Sequence, residues 1–318
     1  MTDAPNDRRT GRPDNRRSDG SDAETAPDTP IRRPDDDLRV RAAIRRELAD
    51  DEKTDEATAE PSAENGSQPQ AAAGERGVAA LENIYLAFDE PILEDVSFSA
   101  TEGETIVVAG ESGTGKSTIL KLLLRLLVPE RGSVYIDNEE ITGLNFNDAL
   151  KVRQKMGMVF QSAALFDSMS VFENIAYPLR EHTELKDDEI LDRVREKLSF
   201  VDLDPDRVLD QMPSELSGGM RKRVGIARGM ADNPKIMLYD EPTSGLDPLT
   251  TATITHLIIK LQRELGVTSV VVTHDIRSAF RMASRIAILA NRKIAFFGTP
   301  EELSGSDDKY LRDFLGGF

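Results

Sequence analysis

Short apolar runs alternate with helical segments from Val78 to the end of the chain. Nine runs rich in apolar and β-branched residues predict strands, at Leu81–Leu86, Val96–Ser99, Thr105–Ala109, Ser133–Ile136, Met156–Phe160, Ile236–Tyr239, Ser269–Thr273, Ile286–Leu289 and Lys293–Phe297. The central runs are apolar throughout, which is typical of parallel strands covered by helices on both faces. The pattern therefore predicts an α/β domain over residues 78–318.

The strand pattern stops between Ser170 and Pro213. Asp187–Phe200 predicts an amphipathic helix. Its apolar positions Ile190, Leu191, Val194 and Leu198 are expected to lie on one face. We therefore expect a helical subdomain, at about residues 165–230, inserted into the α/β core.

Residues 1–77 have a different composition, rich in Asp, Arg, Pro, Ala, Glu and Gly and without any aromatic residue. Such a segment cannot bury enough apolar surface to offset its ordering entropy, so we expect it to be disordered. One island, Leu38–Leu48, carries Val40, Ile44 and Leu48 four residues apart between arginines. It predicts a transient helix; docking on a partner or on anionic lipid is the alternative.

Composition excludes several function classes. The 318 residues include no cysteine and carry a net charge of −17, so disulfides and thiolate chemistry are excluded and nucleic acid is not an expected partner. The three histidines, His182, His256 and His274, are too scattered to predict a zinc site. No apolar run approaches the ~20 residues that span a bilayer. We expect a soluble chain that reaches a membrane only through a partner.

The segment Gly110–Thr118 (GESGTGKST) fits the phosphate loop G-x-x-x-x-G-K-[ST]. It follows the predicted strand Thr105–Ala109 and leads into a predicted helix, Ile119–Val128. Glycines let backbone N–H groups surround an anion, and a helix N-terminus adds partial positive charge. Lys116 is expected to reach the β- and γ-phosphates of a nucleotide, and Ser117 to ligate Mg²⁺. The candidate nucleotide-binding residues here are Gly110, Glu111, Ser112, Gly113, Thr114, Gly115, Lys116, Ser117 and Thr118.

An apolar strand, Ile236–Tyr239, leads directly into two carboxylates. Asp240 is expected to hold Mg²⁺, and Glu241 to act as the general base for the attacking water.

A second anion cradle, Ser217, Gly218 and Gly219, precedes a predicted helix at Arg221–Ala231. Since one nucleotide does not need two cradles, we expect this one to serve the γ-phosphate of a nucleotide held by a second subunit.

Two polar residues follow other predicted strands. His274 follows Ser269–Thr273, at the strand edge where nucleotides bind in α/β sheets, and is expected to hydrogen-bond the γ-phosphate. Gln161 follows Met156–Phe160 and is expected to reach Mg²⁺ or water and to link the site to the helical subdomain.

These motifs resemble ABC-type ATP-binding subunits in order and spacing: GESGTGKST, the Gln161 loop, LSGGM, MLYDEPTSGLD and VVTHD. The resemblance covers about residue 78 to the C-terminus. It implies a P-loop (RecA-like) core with an antiparallel β subdomain and an inserted helical subdomain, and it implies ATP and Mg²⁺ as cofactors. Two copies would enclose two ATP molecules, with Ser217–Gly219 and the loop Ser244–Asp247 acting across the dimer.

The same resemblance implies an aromatic residue upstream of the phosphate loop that stacks on adenine. Phe88 fits that position best, and Tyr85 is the alternative. Stacking on an aromatic face contributes about 1 kcal/mol, so this residue should affect affinity and not chemistry.

A narrower resemblance is to the ATPases of Mla/Mkl-type systems, which work with Mce-type lipid-binding proteins to move phospholipid between membranes. It rests on three stretches and the end of the chain, Phe160–Asp167, Val171–Glu181, Met212–Arg223 and Lys309–Phe318. Met220 stands where most ABC subunits carry Gln. The resemblance implies a transmembrane permease as partner, and a location on the cytoplasmic face of the inner membrane.

Two other functions remain open from the sequence. One is an ABC importer ATPase for another substrate, such as an amino acid or an ion. The other is a non-transport ABC ATPase. A single ATP-binding domain argues against translation-type members, and the roughly 100 residues between phosphate loop and Ser217 are too few for the coiled coil of DNA-repair members.

Overall fold

The computed structural model describes residues 77–316. The expectations for residues 1–76, including disorder and the island Leu38–Leu48, lie outside the described residues. The first described residue, Gly77, is buried against the end of a strand, because a Cβ at this position would come within 2.3 Å of the Ala100 carbonyl oxygen. Gly77 thus packs directly against the backbone of Ala100.

Strands and helices alternate along most of the described chain. The strands are β1 (Ala79–Ala87), β2 (Pro91–Ala100), β3 (Thr105–Ala109), β4 (Arg131–Ile136), β5 (Glu139–Glu140), β6 (Met156–Val159), β7 (Ile236–Asp240), β8 (Thr268–Thr273), β9 (Arg285–Ala290) and β10 (Lys293–Gly298). The helices are α1 (Lys116–Leu123), α2 (Phe146–Arg153), α3 (Val171–His182), α4 (Asp187–Phe200), α5 (Pro205–Val208), α6 (Gly218–Gly229), α7 (Pro248–Leu265), α8 (Ile276–Met282), α9 (Pro300–Ser304) and α10 (Lys309–Gly316). A single 3₁₀ turn, Pro213–Glu215, precedes α6.

The main sheet has the strand order β10-β9-β3-β8-β7-β6. Its neighbours pair in parallel from β9 to β6, and β10 adds an antiparallel edge. Every residue of β3 and β8 is buried, since both faces of a parallel sheet are covered. The burial includes the polar residues at the ends of β8, Thr268, Ser269 and Thr273. The carboxyl ends of β3, β7 and β8 therefore lie side by side at one edge.

A smaller antiparallel sheet has the order β2-β1-β4-β5. Its β4–β5 turn places Asp137 and Asn138 at positive φ, as a two-residue hairpin turn requires. The Asp137 carboxylate accepts hydrogen bonds from Lys155 and Lys235, which precede β6 and β7. These hydrogen bonds lower the pKa of Asp137. The turn thereby ties the small sheet to the main sheet.

Two apolar cores lie on opposite faces of the main sheet. One contains Val107, Val271 and Tyr239 with residues of α6 and α7. The other contains Ile106 and Val270 with residues of α1 and of the small sheet. Alternate residues of each strand enter opposite cores, as the period of two demands.

Helices α3 to α5 occupy the stretch in which the strand pattern stops, and α6 follows it. A capping box closes the start of α3: Ser170 Oγ accepts from the Glu173 N–H, and the Glu173 carboxylate accepts from the Ser170 N–H. Within α4, Ile190, Val194 and Leu198 are buried. The prediction that Leu191 shares this face is wrong, because Leu191 is exposed; it lies about 100° around the helix from Ile190.

Several element boundaries differ from the sequence pattern. Helix α1 ends at Leu123, because the chain turns out of the helix at Arg125, where φ is +53°. Helix α6 begins at Gly218, since Ser217 caps it. No helix within residues 77–316 is both long and apolar enough to cross a bilayer.

Candidate active site

The carboxyl edge of the main sheet gathers the predicted site residues. Gly110 follows β3, Asp240 ends β7 with Glu241 directly after it, and His274 follows β8. Neighbouring parallel strands bring these residues together although they are far apart in the chain. The resulting cluster joins one lysine, two carboxylates, one hydroxyl and one imidazole.

The loop 110–118 needs glycine at particular positions. A Cβ on Gly110 would lie 2.4 Å from the Leu289 carbonyl oxygen, so no side chain fits there. Gly113 and Gly115 have φ of +84° and +99°, a region that favours glycine. Thr114 Oγ1 closes the turn by donating to the Glu111 carbonyl oxygen at 3.0 Å. The backbone can thus curve tightly into the N-terminus of α1, the arrangement that binds phosphate.

Lys116 is a buried cation at the centre of the cluster. Its side chain is 6% exposed, and its Nζ donates to the carbonyl oxygens of Gly110 at 2.9 Å and Glu111 at 2.7 Å. Burial lowers the pKa of Lys116, although the carboxylates of Glu241 and Asp240 oppose that shift. The ammonium lies 4.0 Å from Glu241 Oε1.

Ser117 and Asp240 form an oxygen pair. The Ser117 hydroxyl donates to Asp240 Oδ1 at 2.8 Å. A hydroxyl and a carboxylate are oxygen ligands of the kind that Mg²⁺ prefers, and Mg²⁺ usually takes its other ligands from water and phosphate. The two residues therefore fit a magnesium ion bound together with a nucleotide.

Glu241 is held on both its backbone and its side chain. Its φ is +48°, an unusual value for a residue with a Cβ. Its N–H donates to the Val272 carbonyl oxygen at 2.9 Å. Its Oε2 accepts from Thr273 Oγ1 and from the His274 N–H, each at 3.3 Å, and lies 2.8 Å from His274 Nδ1. The carboxylate is only 13% exposed and has a fixed orientation.

Comparisons with known proteins agree with this geometry. A family model described as "ABC transporter" matches residues 93–244. The chain is 40% identical over 226 residues to the Escherichia coli K12 intermembrane phospholipid transport system ATP-binding protein MlaF, covering 71% of this chain and 83% of that one. The chain belongs to the ABC transporter family.

Two further comparisons place the chain within this ABC family. It is 44% identical over 226 residues to the Mycobacterium tuberculosis H37Rv protein named probable ribonucleotide transport ATP-binding protein mkl, covering 71% of this chain. The match spans 62% of that relative's length. A dimeric ATP-binding cassette solved in a post-hydrolysis state with ADP and Pi superimposes with a TM-score of 0.64 at 36% identity, covering 70% of this chain and 98% of that one. The predicted P-loop ABC fold is thus confirmed.

The ABC motif around Gln161 lies in a strained loop. Gln161 is exposed, and its Nε2 donates to Ser244 Oγ at 3.2 Å. Two residues on, Ala163 and Ala164 have φ of +62° and +46°, which is costly for residues with a Cβ. Arg228 of α6 holds both, because its guanidinium donates to the Ala164 and Ala163 carbonyl oxygens at 2.8 and 3.0 Å.

The ABC signature residues cap α6. The Ser217 hydroxyl accepts from the Met220 N–H at 3.2 Å. A Cβ on Gly219 would lie 2.6 Å from Thr250 Cγ2, so this turn packs tightly on the start of α7. Within residues 77–316, no hydrogen bond joins Ser217, Gly218 or Gly219 to the loop 110–118. The chain by itself does not bring its two anion cradles together.

Phe88 lies in the turn between β1 and β2 and is 55% exposed. The start of β2 borders the phosphate loop, since a Cβ on Gly115 would lie 3.0 Å from Ile92 Cγ2. Tyr85 lies within β1, where it pairs with Arg131 of β4, and is half-buried. Of the two candidate rings, that of Phe88 is the more exposed.

Sequence reasoning missed two residues, Lys222 and Arg228. Lys222 Nζ donates to the carbonyl oxygens of Gln161 at 2.5 Å and of Glu241 at 3.3 Å. Basic residues on a helix are usually solvated. The spacing of Lys222 and Arg228 along the sequence does not show that they contact backbone carbonyl oxygens in distant parts of the chain.

Proposed function

We propose that this chain is the ATP-hydrolysing subunit of an ABC transporter. The observation that carries the proposal is the convergence of Lys116, Ser117, Asp240 and Glu241 at one sheet edge. A buried ammonium, an oxygen pair suited to Mg²⁺ and an oriented carboxylate are what hydrolysis of a nucleoside triphosphate needs.

The loop and Lys116 bind the phosphates. Backbone N–H groups of residues 110–118 surround the β-phosphate, and the Lys116 ammonium neutralises charge on the β- and γ-phosphates. Ser117 and Asp240, with Gln161, hold Mg²⁺, which neutralises negative charge on the phosphate oxygens when it is bound. Phe88 stacks on the adenine ring.

Glu241 acts as the general base. Its Oε1 accepts a proton from the water that attacks the γ-phosphate. The Oε2 contacts with Thr273 and His274 orient the carboxylate and need no rearrangement before the reaction. His274 also hydrogen-bonds the γ-phosphate and so distinguishes ATP from ADP. Hydrolysis proceeds by positioning and charge stabilisation, without a covalent intermediate.

The complete site requires a second copy of this chain. Ser217–Gly219 make no hydrogen bond to the chain's own phosphate loop, and they form an exposed helix N-terminus suited to a γ-phosphate. Two copies with twofold symmetry provide each ATP with Lys116 from one subunit and Ser217 from the other. The dimeric cassette that this chain resembles supports the arrangement.

A cleft beside the Gln161 loop suits a helix from a transmembrane permease. It has a volume of about 190 Å³ and lies between the end of β6, helix α3 and the end of α6. Next to it, Phe166 and Tyr177 are exposed, with ring centroids 5.3 Å apart. Exposed aromatic rings at the edge of a concave surface are typical of protein interfaces. The permease would place the subunit at the cytoplasmic face of the inner membrane.

The transported substrate that we propose is phospholipid, with Mce-type lipid-binding subunits acting indirectly. The two relatives are named for different substrates: the name of MlaF refers to phospholipid transport, and that of mkl to probable ribonucleotide transport. Met220 and the stretches Phe160–Asp167 and Val171–Glu181 favour the lipid systems.

The test is purification of the full chain from its native membrane in mild detergent. We expect a multi-spanning permease to copurify, with phospholipid bound, and ATPase activity that a Lys116→Ala variant lacks. A copurifying permease that binds nucleotides or amino acids instead would replace the substrate assignment. Absence of any membrane partner, with ATPase activity retained, would favour a non-transport ABC ATPase.

A further inference from the structure

Lys222 is buried at the junction of three elements. It lies on α6, five residues after Ser217, with 6% of its surface exposed. Its Nζ donates to the Gln161 carbonyl oxygen at 2.5 Å and to the Glu241 carbonyl oxygen at 3.3 Å. One side chain thus connects the signature helix, the loop after β6 and the residue after β7.

These bonds close a ring. The Gln161 amide donates to Ser244 Oγ at 3.2 Å. The Ser244 N–H donates to the same Glu241 carbonyl oxygen at 3.2 Å. Lys222 completes the circuit by bonding the Gln161 carbonyl oxygen. A displacement of Gln161 is therefore transmitted to the backbone of Glu241 through two separate paths.

The backbone of Glu241 needs such support. Its φ of +48° is unfavourable for a residue with a Cβ, and such strain persists only when neighbouring groups hold it. The N–H is held by the Val272 carbonyl oxygen, and the carbonyl by Ser244 and Lys222. Without Lys222, one of these three hydrogen bonds to the backbone of Glu241 is lost.

Burial of the Lys222 ammonium carries a desolvation penalty, and two nearby carboxylates offset part of it. Burial lowers the pKa of Lys222, while the carboxylates of Glu241 and Asp240 oppose the shift. The ammonium therefore interacts with both carboxylates of the site without a direct ion pair to either. A buried charge is retained only where it is hydrogen-bonded and compensated.

The same face of α6 contacts the loop at two more positions. One turn beyond Lys222, a Cβ on Gly225 would lie 3.1 Å from Ala163 Cβ. One further turn on, Arg228 bonds the Ala163 and Ala164 carbonyl oxygens. The loop 161–164 is thus seated along α6 by contacts three residues apart.

We propose that Lys222 is a positioning residue for ATP hydrolysis, which holds the Glu241 backbone in its productive conformation and couples it to the Gln161 loop. Its ammonium donates to backbone carbonyl oxygens, so it acts through Glu241 and Gln161. The inference rests on the proposed role of Glu241 as general base.

The test measures kcat and KM for ATP in the purified full chain carrying Lys222→Met, which keeps the apolar stem and removes the donors. We expect kcat to fall at least about tenfold, because small displacements of a catalytic group are costly, with KM within about twofold. Lys222→Arg, which restores a donor, should recover most of kcat. Nucleotide-driven dimerisation should remain.

The matched control is Lys197→Met. Lys197 is 2% exposed and joins α4 to the core by donating to Asn233 Oδ1 at 2.7 Å, but its bonds are remote from Glu241. We expect this variant to lose thermal stability and to keep kcat within about twofold. If Lys222→Met does not fold, Lys222→Gln serves in its place, since its side chain is shorter and uncharged; we expect severalfold lower kcat at unchanged KM.

Wild-type kcat in Lys222→Met, or in Lys222→Gln if the first does not fold, overturns the inference. Equal loss of kcat in Lys197→Met also overturns it, because the effect would then be one of packing. Glu241→Gln is measured in parallel. If Glu241→Gln hydrolyses ATP normally, the general-base assignment itself fails. If it is inactive while Lys222→Met is normal, only the role of Lys222 fails.

Discussion

His274 Nδ1 lies 2.8 Å from Glu241 Oε2, and this contact gives the two carboxylate oxygens different surroundings. Oε2 also accepts from Thr273 Oγ1 and the His274 N–H. Oε1 faces Lys116 Nζ at 4.0 Å. Oε2 is thus bonded to the residues that orient the carboxylate, and Oε1 faces the lysine that we propose to bind the phosphates. We infer that Oε1 is the oxygen that receives the proton.

Replacing Glu241 with Gln tests this assignment. The amide has nearly the same shape but cannot accept the proton, so hydrolysis should fall at least about 100-fold while ATP binding persists. With ATP and Mg²⁺ present, light scattering should show a stable dimer. Phosphate release at the wild-type rate would mean that another group is the base.

Replacing His274 with Ala removes the contact at Oε2 and the proposed bond to the γ-phosphate. We expect kcat to fall at least about tenfold with a smaller change in ATP affinity. His256→Ala is the control, because His256 is an exposed residue of α7. Steady-state phosphate release compares the two. Equal activities in both variants would show that His274 has no role in hydrolysis.

Replacing Lys116 with Ala removes the cation that is expected to bind the β- and γ-phosphates. ATP binding or turnover should be lost with the fold retained, which equilibrium binding of a fluorescent ATP analogue and circular dichroism can measure together. Lys121→Ala, later on the same helix α1, should bind as the wild type does. Normal hydrolysis by Lys116→Ala would contradict the nucleotide-site assignment.

Replacing Gly225 with Ala should displace the Gln161 loop. The new Cβ would lie 3.1 Å from Ala163 Cβ, so the loop must move by a few tenths of an ångström. Helix propensity favours Ala over Gly by up to about 1 kcal/mol, so thermal stability should change little while ATPase activity falls. Gly143→Ala is the control, since nothing lies within 4 Å of a Cβ there. Unchanged activity in Gly225→Ala would show that the loop tolerates the shift.

The ion pair of Glu104 and Arg285 links the start of β3 to that of β9, and it predicts a pH dependence. Burial alone would raise the pKa of Glu104, but hydrogen bonds from Arg285 and Thr101 outweigh it and lower the pKa. The stabilisation is therefore present above the ordinary pKa of 4.5 and is lost as the pH falls below it. Glu104→Gln should cost about 2 kcal/mol of unfolding free energy at neutral pH. In denaturant titrations that difference should shrink in acid; a constant difference would contradict the assignment.

Most of the fold, and the positions of the candidate phosphate-site residues, could be predicted from local sequence patterns. The loop residues from Gly110 to Thr118 act through backbone geometry, and their spacing alone defines them. Asp240 and Glu241 were predictable because an apolar strand leads directly into them, and His274 because parallel strands end at one edge. The strand β5 was missed, because its two residues, Glu139 and Glu140, carry no apolar pattern.

Contacts between distant segments were not predictable. The end of α1 at Leu123 depends on the turn at Arg125, where the helical pattern continues in the sequence. Lys222 and Arg228 donate to backbone carbonyl oxygens. Every residue has such an oxygen, so the side chains of the loop do not indicate these contacts. The partner that we propose for Ser217–Gly219 is a second copy of the chain, and in the sequence only the presence of two anion cradles indicates it.

The Gln161 loop is attached to α6 through its backbone, which separates the permease contact that we propose for this loop from its proposed part in catalysis. Arg228 donates hydrogen bonds to the carbonyl oxygens of Ala163 and Ala164. Because these acceptors belong to the backbone, they are present whatever side chains the two positions carry. Position 163 is buried against Gly225 and must remain small, but Ser162 and Ala164 are exposed. Substitutions at these two exposed positions should therefore change the surface that we propose for the permease, and should leave the hydrogen bonds between Arg228 and the loop backbone in place.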